Sequence, residues 1–151
     1  MSQRLDPFVS LSALLTGFDA VQLYGTGLAE AYLDELDQTL PAGFTDQLLA
    51  QLAPVSADPA PDEALERRVM ADFKLGPVAR TLVVLWYTGG WTPLPDAWRA
   101  EFGASPRDVK RVISAESYQG GLQWQAAGAH PPGALHQGFA AWALPPRELS
   151  A

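Results

Sequence analysis

The residues able to do chemistry are few and scattered. His130 and His136 are the only histidines, and their spacing does not set both on one helical face. With no cysteine in the chain, a zinc site there would need distant carboxylates as further ligands. A histidine hydrogen-bonded to backbone in a proline-rich turn accounts for them more simply. Asp34-Glu35 and Asp62-Glu63 are adjacent carboxylates, but periodicity puts both pairs on solvated helix faces, outside any cleft that could hold an acid/base pair. Ser114 and Ser117 lack a nucleophile-elbow setting. Gly25-Thr26-Gly27 opens like a phosphate loop, but the third glycine is missing and no strand precedes it. A helix–helix corner that needs a flexible backbone fits it better. One enzymatic arrangement remains, a site assembled from Asp96, Tyr118 and His130. The expectation from residue chemistry is that this chain holds no catalytic group, no cofactor and no metal.

The elements that position these residues are amphipathic helices. The stretch from Gly76 to Trp91 organises the rest: Pro77 suits a first helical turn, and Gly89-Gly90 suits a left-handed end. Val78, Leu82, Leu85 and Trp86 recur at helical spacing, and Val83 and Val84 thicken the stripe, so this helix must be covered on most sides. Before it, Asp6-Pro7 reads as an N-cap and first turn, with Phe8, Leu11 and Leu15 on one face up to Gly17. Asp19 caps a short segment with Val21, Leu23 and Tyr24 as its apolar residues. Leu28, Tyr32 and Leu36 line a further helix, with Asp34, Glu35 and Asp37 toward water. Pro41 opens another helix, striped by Phe44, Leu48 and Leu52. Pro54 to Pro61 reads as a long surface connection, and Pro61-Asp62-Glu63 as a helix start whose buried face is Leu65, Val69 and Phe73. After Trp91 come a proline-rich turn over 92–95, a short helix over 96–102, a cap-plus-proline start at Ser105-Pro106, and a last helix capped by Ser114. That helix holds Tyr118, Leu122 and Trp124, weakened by Gly120-Gly121. The fold class expected is all-α: a small single helical domain over 1–151 with a long irregular Pro/Gly/aromatic-rich C-terminal segment.

Composition bounds the partners. The chain has 151 residues, 48% hydrophobic and 18% charged, with a formal net charge of −7. That sign is wrong for a phosphate backbone or an anionic bilayer, so no nucleic-acid partner is expected. No apolar run approaches the ~20 residues of a membrane span, and the first residues do not read as a signal peptide.

Two features look outward. Trp86, Tyr87 and Trp91 form an aromatic corner where the central helix ends; they are either a core knot or rings facing a partner. From residue 129 onward the chain is rich in proline and glycine yet carries Leu135, Phe139, Trp142 and Leu144, unlike a polar linker. It is either a self-packed cover or a tail that wraps a partner, with spaced aromatic anchors. The interface residues expected are Trp86, Tyr87, Trp91, Trp124, His130, Pro131, Phe139 and Trp142.

Leu14-Leu15-Thr16-Gly17-Phe18, Gly25-Thr26-Gly27, Leu85-Trp86-Tyr87-Thr88-Gly89 with Trp91, and the closing AHPPGALHQGFAAWALPP resemble the small subunit of membrane-bound FAD-dependent sorbitol and sugar dehydrogenases. Their order and spacing match along nearly the whole chain. The resemblance implies a helical accessory subunit without catalysis of its own. Its partner would be a glucose–methanol–choline-type (GMC-type) flavoprotein that carries the FAD and the catalytic histidine, often with a multihaem cytochrome c subunit that passes electrons to the quinone pool. It also implies help in folding and export of the flavoprotein, hence a periplasmic location, although this chain shows no twin-arginine signal and the cytoplasm is the alternative. Having no cysteine, it cannot form a covalent tether to the large subunit. The rival class is a freestanding helical interaction protein with a different partner.

Overall fold

The computed structural model describes residues 3–103, 105–129 and 131. Their regular structure is almost all helical: α1 (Leu5–Thr16), α2 (Ala20–Gly25), α3 (Ala29–Thr39), α4 (Phe44–Leu49), α5 (Leu52–Ser56), α6 (Pro61–Leu65), a π-helical turn over Glu66–Met70, α7 (Leu75–Thr88), α8 (Asp96–Phe102), α9 (Ala115–Gln119) and α10 (Leu122–Ala126). One minor antiparallel pair, β1 (Gly90–Trp91) with β2 (Arg111–Val112), follows in the register Gly90 to Val112 and Trp91 to Arg111. The fold is all-α, as the periodicity predicts. Nearly all of the irregular C-terminal segment lies outside the described residues.

Helix α7 is the central element. It packs against α1, α4, α10, the π-helical turn and β1, and Val78, Ala79, Leu82, Leu85 and Trp86 are buried along it. Val83 is only half-buried and Val84 is exposed, so the apolar stripe is narrower than the valine run suggests. The helix ends at Gly89 in the left-handed conformation, φ 73°. A Cβ there would lie 2.1 Å from the Ser117 carbonyl oxygen, so glycine is required both by φ and by the close approach of α9.

The prolines shift several helix starts. Pro7, Pro54 and Pro77 each sit at the third residue of their helix. The first-turn N–H groups have no partner within the helix, so a proline there removes nothing. Helix α1 therefore begins at Leu5, ahead of Asp6, and α7 at Leu75. Pro54 to Pro61 is corrected in the same way: Pro54, Val55 and Ser56 are helical, Val55 is fully buried, and only 57–60 connect. Pro61 does open its helix at the first position. Pro41 does not open one; the chain turns through Gly43 before α4 starts at Phe44.

Other departures are local. Phe73 is 59% exposed, because the Asp72 carboxylate accepts from the Lys74 and Leu75 N–H groups and ends the preceding turn before Phe73 can face inward. Val21 and Tyr24 are exposed, which leaves Leu23 alone to anchor α2. Ser105-Pro106 forms a turn that leads to β2, with no helix. The expected last helix is two helices, because Gly120-Gly121 separates α9 from α10. Asp19 and Ser114 both cap helices as expected, each within a capping box, with Gln22 and Ser117 respectively.

Candidate functional site

The end of α1, the end of α7, and helices α2, α9 and α10 meet at one corner. Thr16 ends α1, its hydroxyl donating to the Ser12 carbonyl at 2.8 Å. The Tyr87 hydroxyl, from the last turn of α7, donates to the Thr16 carbonyl at 2.9 Å. Phe18 sits edge-on to the Tyr87 ring at 6.0 Å. On the other side Gly121 approaches so closely that a Cβ would fall 2.7 Å from the Tyr87 carbonyl oxygen. The Leu14–Phe18 and Leu85–Gly89 motifs are therefore locked to each other, and α10 is seated on the end of α7.

Trp86 and Trp91 do not face outward at this corner. Trp86 is fully buried, stacked on Phe8 at 6.2 Å and edge-on to Tyr32 at 4.8 Å. Trp91 is 1% exposed, and its indole N–H donates to Asp108 at 2.8 Å. Both belong to the core, as the core-knot reading has it, and neither offers surface to a partner. Trp86 is covered by the elements packed round α7, and Trp91, in β1, is drawn inward by Asp108. Tyr87 is half-buried.

Beside the corner lies a groove of about 560 Å³ between the end of α2 and α9–α10. Gln22, Gly25 and Thr26 form one wall; Gln119, Trp124 and Gln125 face them, with Pro131 at the rim. Trp124 is half-buried, its N–H donates to the Tyr118 carbonyl at 2.8 Å, and its ring meets Tyr118 edge-on at 5.6 Å. Among the described residues no ionisable side chain lines this groove. Neutral amides that both donate and accept, next to an indole face, suit contact with an uncharged polar surface such as polypeptide backbone.

The Gly25-Thr26-Gly27 turn closes α2 at its C-terminal end. It leads directly into α3 through Leu28, whose N–H donates to the Thr26 hydroxyl at 3.2 Å, so the turn is a helix–helix corner. Ser114 and Ser117 are engaged in capping, and Ser117 also donates to the Gly89 carbonyl at 2.8 Å. Asp34, Asp62 and Glu63 are exposed. Asp96 is exposed at the start of α8 and Tyr118 is half-buried in α9. His130, His136, Phe139 and Trp142 lie outside the described residues. Among the described residues no group of three or more His, Asp or Glu side chains could hold a metal ion, and no helix is long and apolar enough to cross a membrane.

Glu35 departs most from expectation. It is buried, and its carboxylate accepts from Arg107, from Arg111 and from the Thr39 hydroxyl. Burial pushes its carboxyl up, but the hydrogen bonds from Arg111, Arg107 and Thr39 outweigh it and hold the group below its ordinary value. A second buried acid, Asp108, accepts from the Trp91 indole and the Leu94 N–H and pairs with Arg99 at 3.2 Å. No local signal marks these clusters, because Arg107 is 72 residues from Glu35. Arg4 pins α1 to Asp37 and Asp46, and its hydrogen bond lowers the Asp37 carboxyl.

No family model, no curated protein and no solved structure matches this chain.

Proposed function

We propose that this chain is the non-catalytic small subunit of a heteromeric FAD-dependent sugar or polyol dehydrogenase. In this reading it binds and stabilises the GMC-type flavoprotein that carries the FAD, and assists its maturation or export to the periplasm. A multihaem cytochrome c would complete the electron path. The observation that carries the reading is the convergence of separate motifs on one corner: Thr16 and Phe18, Gly25-Thr26, Tyr87 and Pro131 come from four stretches of the resemblance, yet all border the corner or its groove. The groove adds neutral, contact-forming chemistry and a half-buried tryptophan, the residue type most often found as an interface hot spot.

The test is co-expression with a GMC-type flavoprotein encoded beside this chain, with capture on this chain and measurement of the flavin absorbance of the eluate. The expected result is a yellow complex with dye-linked sugar oxidation, weakened by about 2–4 kcal/mol in Trp124→Ala if that ring is the anchor. A colourless, stable monomer that neither binds the flavoprotein nor raises its yield overturns the proposal and leaves the freestanding interaction protein.

A further inference from the structure

We propose that a shallow apolar pocket on the outer face of α7, away from the groove, takes an apolar side chain of a partner polypeptide that carries a carboxylate on the neighbouring residue. The pocket holds about 200 Å³. Pro77, Thr81 and Val84 of α7 form its floor, and Pro93 and Pro95, from the turn after β1, form the facing wall. The proline rings fix this wall in place, so little is left to order when a side chain enters. The Thr81 hydroxyl donates to the Thr92 carbonyl at 3.3 Å, which leaves the interior lined by apolar groups. Val84 is a large apolar residue left 36% exposed there.

The charge at the mouth selects the occupant. Arg80 lines the pocket and is held in place: one Nη donates to the Met70 carbonyl at 2.8 Å, and the guanidinium packs over Gly76. Among the described residues no carboxylate lies within ion-pair distance of it. A fixed, exposed guanidinium without a counter-ion beside an apolar pocket is complementary to a carboxylate next to an apolar side chain. Such a side chain acts as an anchor in the manner of interface hot spots.

The inference rests on the partner-binding reading, but its test needs no flavoprotein. The probe is the capped peptide acetyl-Gly-Leu-Glu-Gly-amide, with acetyl-Gly-Leu-Gln-Gly-amide as its neutral twin, titrated into the full chain while backbone amide resonances are followed. Saturable shifts at Thr81, Val84 and Thr92 are expected, with the Glu peptide bound about two- to five-fold more tightly, the scale of an exposed ion pair. Arg80→Gln should erase that difference, and Val84→Glu should abolish binding of both peptides. Equal binding of the two peptides to the unaltered chain, or no shifts at these residues with either, overturns the inference. A chain that captures the flavoprotein but ignores both peptides refutes the pocket alone. One that binds the Glu peptide at these residues but captures no flavoprotein refutes the partner's identity alone.

Discussion

A carboxylate taken out of water costs several kcal/mol unless its partners return that energy, and Glu35 is repaid by two arginines and a threonine. Its folded-state value lies below the unfolded one. The stabilisation is therefore complete above about pH 4.3 and is lost as pH falls through the folded value. Urea denaturation across that range should show a steep acid limb. Glu35→Gln should lower stability by about 1.5–3 kcal/mol at neutral pH and flatten that limb. Tyr32 gives the opposite sign. Its hydroxyl is buried without a well-formed hydrogen bond, and burial pushes it far above the usual phenol range, an effect that Ser117 only partly offsets. The protonated form is the one the fold accepts, so stability holds below about pH 10 and declines above it. Tyr32→Phe should keep neutral-pH stability within about 1 kcal/mol and remove the alkaline decline.

Among the elements, Gly89 and Gly17 make a controlled pair. Both end helices at positive φ, but nothing lies within 4 Å of a Cβ at Gly17, whereas the backbone of α9 occupies that space at Gly89. Gly17→Ala should cost only the backbone strain, about 1 kcal/mol. Gly89→Ala should cost at least about 2 kcal/mol more, because α9 must be displaced; thermal melts of the two variants compare them directly. The same contrast explains what the sequence reveals. The caps at Asp19 and Ser114, the stop at Gly17 and the start at Pro61 were legible because each is settled by residues within one turn. The helical Pro54, the inward Glu35 and the β1–β2 pair were not, since each depends on contacts distant in sequence or on the position of a proline within its first turn. At the corner, Tyr87 was legible as an aromatic residue where the central helix ends and Trp124 as a residue of the last helix. Trp86 was misplaced as a partner contact because a tryptophan at helical spacing does not say which side the next helix will cover, and Trp91 because the Asp108 that draws it inward lies 17 residues away.

Across the whole molecule charge is segregated. No lysine or arginine occurs between Arg4 and Arg67, while acids continue through that stretch; most of the cations fall between Arg67 and Arg111. The two halves are joined where Glu35 meets Arg107 and Arg111. The segment 105–119 is thus fastened by polar contacts: Glu35 with its arginines, Asp108 with Trp91, the β1–β2 pairing, and Ser117 with the Gly89 carbonyl. Only the pairs of Glu35 with Arg107 and Arg111, and of Asp108 with Arg99, join opposite charges; both acids are buried, so salt screens these pairs only in part, and it does not screen the apolar contacts of α7. Sub-global opening should therefore begin in this strap while the helices beneath stay closed. In amide hydrogen exchange the β2 and α9 amides should be less protected than Leu82 and Leu85, and should lose a further small part of their protection, about two-fold or less, on going from dilute buffer to 1 M sodium chloride, while Leu82 and Leu85 stay unchanged. The chain would then hold a salt-tunable hem around a salt-indifferent centre.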